Sequence, residues 1–74
     1  MNTNQRIGNV IRSLRMREGL TQEQLADVLK LSRSSIGMYE TGERKLTPEL
    51  LELFADHFNV DMNYITGSIK EDAV

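Results

Sequence analysis

Arg33 sits between Ser32 and Ser34 in the run SRSSIGMYETGE, a stretch too polar to be mostly core. A guanidinium presented there can donate two hydrogen bonds to guanine O6 and N7, a contact that discriminates between bases by about 1–3 kcal/mol. Met38, on the same run, is apolar and suits a thymine methyl; its other reading is core filler or a partner contact. Gln22 and Ser32 place side-chain donors at the starts of two short helices, where backbone N–H groups already favour anions. Arg44 and Lys45 follow in a charged loop, and beside a groove-entering helix they suit phosphate contact. Together these residue types fit recognition of duplex DNA.

Other chemistries find no support. His57 is the only histidine and there is no cysteine, so a metal site has no ligand set and no disulfide can form. His57 falls near the apolar stripe of its helix, close to the C-terminal end, which suggests an edge-of-core or helix-end role. Ser32, Ser34 and Ser35 have no basic partner suited to nucleophilic activation. Gly37 and Gly42 lack the lysine-serine ending of a phosphate-binding loop. No catalytic residue and no cofactor is expected. No signal-peptide pattern opens the chain, and no apolar run approaches the roughly 20 residues of a membrane span, so a soluble cytoplasmic protein with no membrane partner is expected.

The elements that must carry these residues are short helices with clear punctuation. The chain has 74 residues, enough for one domain. Ile7, Val10, Ile11 and Leu14 recur at helical period from a start near Thr3 or Asn4, and Gly19 supplies a left-handed stop. Thr21 with Gln24 forms a capping box for a second helix, whose buried face is Leu25, Val28 and Leu29 with Ala26 beside them. Ser32 caps a third helix ending at Thr41-Gly42, in which only Ile36 and Tyr39 look fit for the core. Such a helix reads as a presented one. Thr47-Pro48-Glu49 starts a fourth helix with core residues Leu50, Leu51, Phe54 and Phe58. Asn59 and Asp61 separate it from a fifth, Met62 to Thr66, stopped by Gly67. The expected fold class is all-α, a compact five-helix domain over residues 1–67, with 68–74 as a C-terminal tail.

The charge balance points the same way once it is divided. Net charge is −2, yet residues 1–46 carry eight basic against five acidic side chains, and residues 47–74 one against six. A basic pole backed by an acidic one orients a protein on a polyanion.

A second and third helix meeting across a short turn form a helix-turn-helix, with Ala26 small at the close approach and Leu25 and Ile36 plugging the angle. With LRMREGLTQEQLA, SRSSIGMYETGE and FNVDMNYITG in that order, the chain resembles the Cro/CI-type (XRE-like) helix-turn-helix family of phage repressors and bacterial transcriptional regulators over residues 6–67. The resemblance implies a lambda-repressor-like fold with the third helix in the major groove. It implies base reading by Arg33, Ser34 and Met38, and backbone contacts by Gln22, Ser32, Thr41, Arg44 and Lys45. Gln22 would also brace the third helix. Arg15 and Glu40 match a structural ion pair that ties the first helix to the end of the third.

Two residues depart from the family's pattern. Lys30 stands where the turn usually has glycine; a left-handed lysine there is strained by roughly 1–2 kcal/mol, unless a longer second helix or a reshaped turn avoids it. Gly37 leaves a bare patch on the third helix, either for close approach to DNA or simply tolerated.

The resemblance further implies a homodimer on a palindromic operator, with Val60, Met62, Ile65 and Ile69 as the expected interface, acting as a repressor. The alternative is a protein-interaction module, antitoxin- or anti-repressor-like, with little DNA binding. The acidic C-terminal third and Met62 and Tyr64, expected to be exposed, favour it. With no room for a sensing domain in these residues, control would come through concentration, dimerisation, a regulatory protein partner or a region beyond them. The sequence fits a whole small regulator or the N-terminal domain of a longer repressor.

Overall fold

Every helix starts at a side chain that accepts one of its free N–H groups. The computed structural model describes residues 2–67, which form α1 (Thr3–Arg17), α2 (Gln22–Leu29), α3 (Arg33–Thr41), α4 (Pro48–Phe58) and α5 (Met62–Thr66), with no strand among them. The expected tail and Ile69 lie outside the described residues. Asn2, Thr21, Ser32, Thr47 and Asp61 are the five N-caps, and the first two form capping boxes with Gln5 and Gln24. Each such cap is worth about 1 kcal/mol of helix stability. Lys30, Gly42, Asn59 and Gly67 close the later helices in the left-handed conformation.

Lys30 therefore keeps the tight turn. It has φ 61° and ψ 38°, and the Leu31 N–H reaches back to the Ala26 carbonyl at 2.9 Å. Neither a longer α2 nor a reshaped turn relieves the lysine of a conformation that its Cβ disfavours.

The core gathers one stripe from each helix. Ile11, Leu25, Ile36, Phe54 and Ile65 are fully buried, joined by Leu14, Tyr39 and Phe58. Tyr39 meets Phe54 edge-on at 6.1 Å between ring centroids, which locks the third helix to the fourth. Three expectations change here: Tyr64, expected to be exposed, is half-buried against the core. Val28, read as part of the buried face of α2, is 54% exposed, because Leu25, Ala26 and Leu29 already cover the contact. Ile65, expected at a dimer interface, has no exposed surface: α5 turns it inward, so it belongs to the core.

The helix that presents α3 is α1, which packs on it more extensively than any other element does. Gly8 permits this. It is buried, and a Cβ there would collide with the main-chain carbonyls of Tyr39 and Glu40. Gly42 is tight in the same way: a Cβ would stand 2.8 Å from the Gln5 backbone nitrogen. Both ends of the α1–α3 contact thus depend on backbone that comes too close for any side chain.

Candidate nucleic-acid interface

Glu40 joins the three helices behind the presented surface. Its side chain is 3% exposed, and its carboxylate accepts three hydrogen bonds. Arg15 on α1 gives two of them, Nε to Oε2 at 2.5 Å and Nη2 to Oε1 at 3.1 Å. Gln22 on α2 gives the third, Nε2 to Oε1 at 3.1 Å. Arg15 also donates from Nη1 to the Leu20 carbonyl at 2.7 Å, so the guanidinium spans from the loop before α2 to the end of α3. The fork geometry of the pair fixes orientation as well as contact. Among the described residues no buried side-chain nitrogen or oxygen lacks a partner.

The surface of α3 divides into engaged and open groups. Ser32 accepts the Ser35 N–H at 3.0 Å and donates its hydroxyl to Ser35 Oγ at 2.9 Å. Arg44 donates from Nη1 to the same Ser35 oxygen at 3.2 Å, while its guanidinium lies 5.9 Å from the centre of the Tyr39 ring. The loop after α3 is thereby folded back beside the helix start. Arg33, Ser34 and Lys45 are exposed, and none has a side-chain partner among the described residues. Met38 is half-buried; its carbonyl accepts from the Arg44 N–H at 3.2 Å, which holds the loop against the helix. Thr41 Oγ1 lies 2.9 Å from Glu43 Oε1 and 3.2 Å from the Met38 carbonyl. Gln22 lies over the bare patch of α3, where a Cβ on Gly37 would meet its amide at 3.8 Å, an ordinary contact.

The fold therefore brings together Gln22, Ser32, Arg33, Ser34, Met38, Thr41, Arg44 and Lys45 on α3 and its two flanks. Val60 and Met62 are elsewhere, where α4 gives way to α5, with Met62 43% exposed. His57 is also apart: its Nε2 lies 3.0 Å from Glu18 Oε1, linking the C-terminal ends of α4 and α1. Sequence reasoning missed the part played by Ser35 and Tyr39, which hold Arg44. The signal was present, since Ser32, Ser35 and Tyr39 are spaced three and four apart along one helix. The described residues contain no cluster of metal-ligating side chains, and none of their helices is long and apolar enough to cross a membrane.

The chain as a whole is similar to known proteins. Residues 11–65 fit the family profile described as Helix-turn-helix. The competence pilus inhibition repressor of Acinetobacter baylyi is 42% identical over 59 residues, covering 80% of this chain and 54% of its own length. Antitoxin PezA of Streptococcus pneumoniae is 38% identical over 64 residues, 86% of this chain and 40% of that protein. The chain thus spans about half the length of the curated relatives it matches, 54% and 40% in these two cases. Among solved structures, the restriction-modification controller protein C.AhdI of Aeromonas hydrophila superposes with a TM-score of 0.74 at 30% identity, covering 81% of this chain and 91% of that one. The clp gene regulator ClgR of C. glutamicum superposes with a TM-score of 0.80 over 97% of this chain and 99% of its own; at 21% identity it supports the fold alone.

Proposed function

The chain belongs to the helix-turn-helix family of DNA-binding transcriptional regulators, and on that premise we propose that it is a repressor that binds a palindromic operator as a homodimer. The observation that carries the reading is the open pair Arg33 and Ser34 at the start of α3, beside an Arg44 held in place by Ser35. Arg33 and Ser34 read base edges in the major groove, with Met38 a turn deeper. Gln22, Ser32, Thr41, Arg44 and Lys45 take the sugar-phosphate backbone and set the register. One copy reaches few bases; two copies place their α3 helices in half-sites about 34 Å apart. The kinship to a protein named a repressor supports the sign of regulation.

Selection of sites from random duplex DNA, followed by salt titration, tests this. The selected sites should be palindromic, and log affinity should fall with log salt by about 0.9 per phosphate contacted. Arg33→Ala should relax the preference at one position of each half-site, while Lys45→Ala should weaken all sequences alike and flatten the slope. A flat salt profile, or no binding below about 10 µM at low salt, overturns the reading. A second reading, a protein-partner module, is favoured by the match to an antitoxin. It predicts that same flat outcome.

A further inference from the structure

Beside the loop that carries Arg44 and Lys45 the molecule has an apolar cleft of about 320 Å³. Its walls are Ile7 from α1, Tyr39 from α3, Leu46 from the loop and Leu51 from α4. That volume is at the small end of the range of ligand sites, and apolar walls with a few placed polar groups are their usual make-up. Arg44 and Lys45, both exposed, stand at the rim, and none of the described residues lining the cleft is acidic. The first turns of α1, at Thr3 and Asn4, and of α4, at Pro48, also border it, and helix N-termini carry partial positive charge. The C-terminal end of the short α5, at Thr66, borders it too, so what is of one sign is the pair of charged side chains, both basic, at the rim of an apolar floor.

We propose that this cleft binds a small amphipathic carboxylate, an aliphatic or aromatic body with one anionic end, and that the ligand opposes DNA binding. The body lies against Ile7, Leu46 and Leu51, and the carboxylate pairs with Arg44 and Lys45. Arg44 couples the two events because one guanidinium serves both places: it lies against the ring of Tyr39, a cleft wall, and donates to Ser35 in the first turn of α3. A carboxylate that takes Arg44 draws it off Ser35 and neutralises two of the cations assigned to phosphate. By linkage, DNA must then weaken the ligand by the same factor as the ligand weakens DNA. The coupling rests on the DNA-binding reading; the site itself does not.

The probe is octanoate, with 1-octanol as its uncharged counterpart and acetate as its head without a body. In the methyl-labelled full chain without DNA, octanoate should move the Ile7, Leu46 and Leu51 methyl resonances, saturating with a Kd on the order of 0.1–1 mM. Octanol should bind at least about tenfold more weakly, and acetate should move none of these methyls. Arg44→Gln with Lys45→Gln should bring octanoate down to the level of octanol while the core methyl resonances of Ile11 and Ile65 stay in place, and Lys45→Gln alone, at a side chain without a partner among the described residues, should weaken octanoate with Tm unchanged. Saturating octanoate should weaken duplex DNA binding by about tenfold at matched ionic strength. Methyl resonances that stay still at about 10 mM octanoate, or equal binding of octanol, overturn the site. Binding without any effect on DNA overturns the coupling. Failure to bind any DNA while octanoate still binds overturns the functional reading and leaves the site standing.

Discussion

Burying the Glu40 carboxylate costs several kcal/mol in lost hydration, and three donors from two helices offset that cost. What the pair supplies is position: it holds the end of α3 against α1 and aims Gln22 across the helix. Removing one partner is therefore worse than removing both. Arg15→Met, which strands the carboxylate, should lower stability by about 3–5 kcal/mol in urea unfolding. Arg15→Met with Glu40→Leu should recover most of that loss, to within about 1 kcal/mol of the parent. A double variant as unstable as the single would show that the pair itself, and not only the stranded charge, stabilises the fold. This residue-scale arrangement was only partly legible. Arg15 and Glu40 are 25 positions apart, and no periodicity links them; family resemblance alone brought them together. The tie from Gln22 to Glu40 has no mark in the sequence, because an amide at a helix start serves a carboxylate or a phosphate equally well. Ile65 was misplaced for a related reason. A helix of five residues is too short for its apolar positions to say which side is inward.

Element boundaries were easier to read, because caps and stops are local chemistry. Thr21 with Gln24, Ser32, Thr47 with Pro48, Asp61 and Gly67 all act where their side chains or backbone freedom predict. What could not be read locally is where two elements come close. Gly8 looks like a weak point within α1 until the carbonyls at the end of α3 are seen against it. Lys30 lies between these cases: the sequence raised the strained turn, and tertiary packing decided for it. The angle between α2 and α3 is set by Leu25, Ala26 and Ile36, all buried, and that contact outweighs a local cost of about 1–2 kcal/mol. Lys30→Gly should release the strain and give back part of it through the greater freedom of the unfolded chain, a net gain of about 0.5–1 kcal/mol. Denaturant midpoints with an unchanged m-value would read it. Lys30→Ala keeps the Cβ and should leave stability close to the parent. Equal gains from alanine and glycine would trace the effect to the lysine charge instead.

At the scale of the whole molecule, the division of charge sets two salt dependences against each other. The α3 side of the molecule, proposed to face DNA, presents Arg33, Arg44 and Lys45, while α4 and the approach to α5 carry Glu49, Glu52, Asp56 and Asp61. The exposed apolar groups on that second side are Leu53, 36% exposed, and Met62, 43% exposed. Met62 borders a shallow groove of about 270 Å³ with Pro48, Leu51, Glu49 and Glu52. If two copies meet there about a two-fold axis, each acidic rim faces its own likeness, and added salt screens that repulsion. Dimerisation should then strengthen with salt over the same range in which DNA affinity falls. Met62→Asp places an unpaired charge in the apolar centre of such an interface. It should raise the dimer dissociation constant by about 100-fold in sedimentation equilibrium, yet leave Tm near that of the parent monomer. Binding to two half-sites should weaken with it, and binding to a single half-site should not change. A parent chain that stays monomeric at all salt concentrations, or a dimer indifferent to Met62→Asp, would place the two-fold contact outside this side of the molecule.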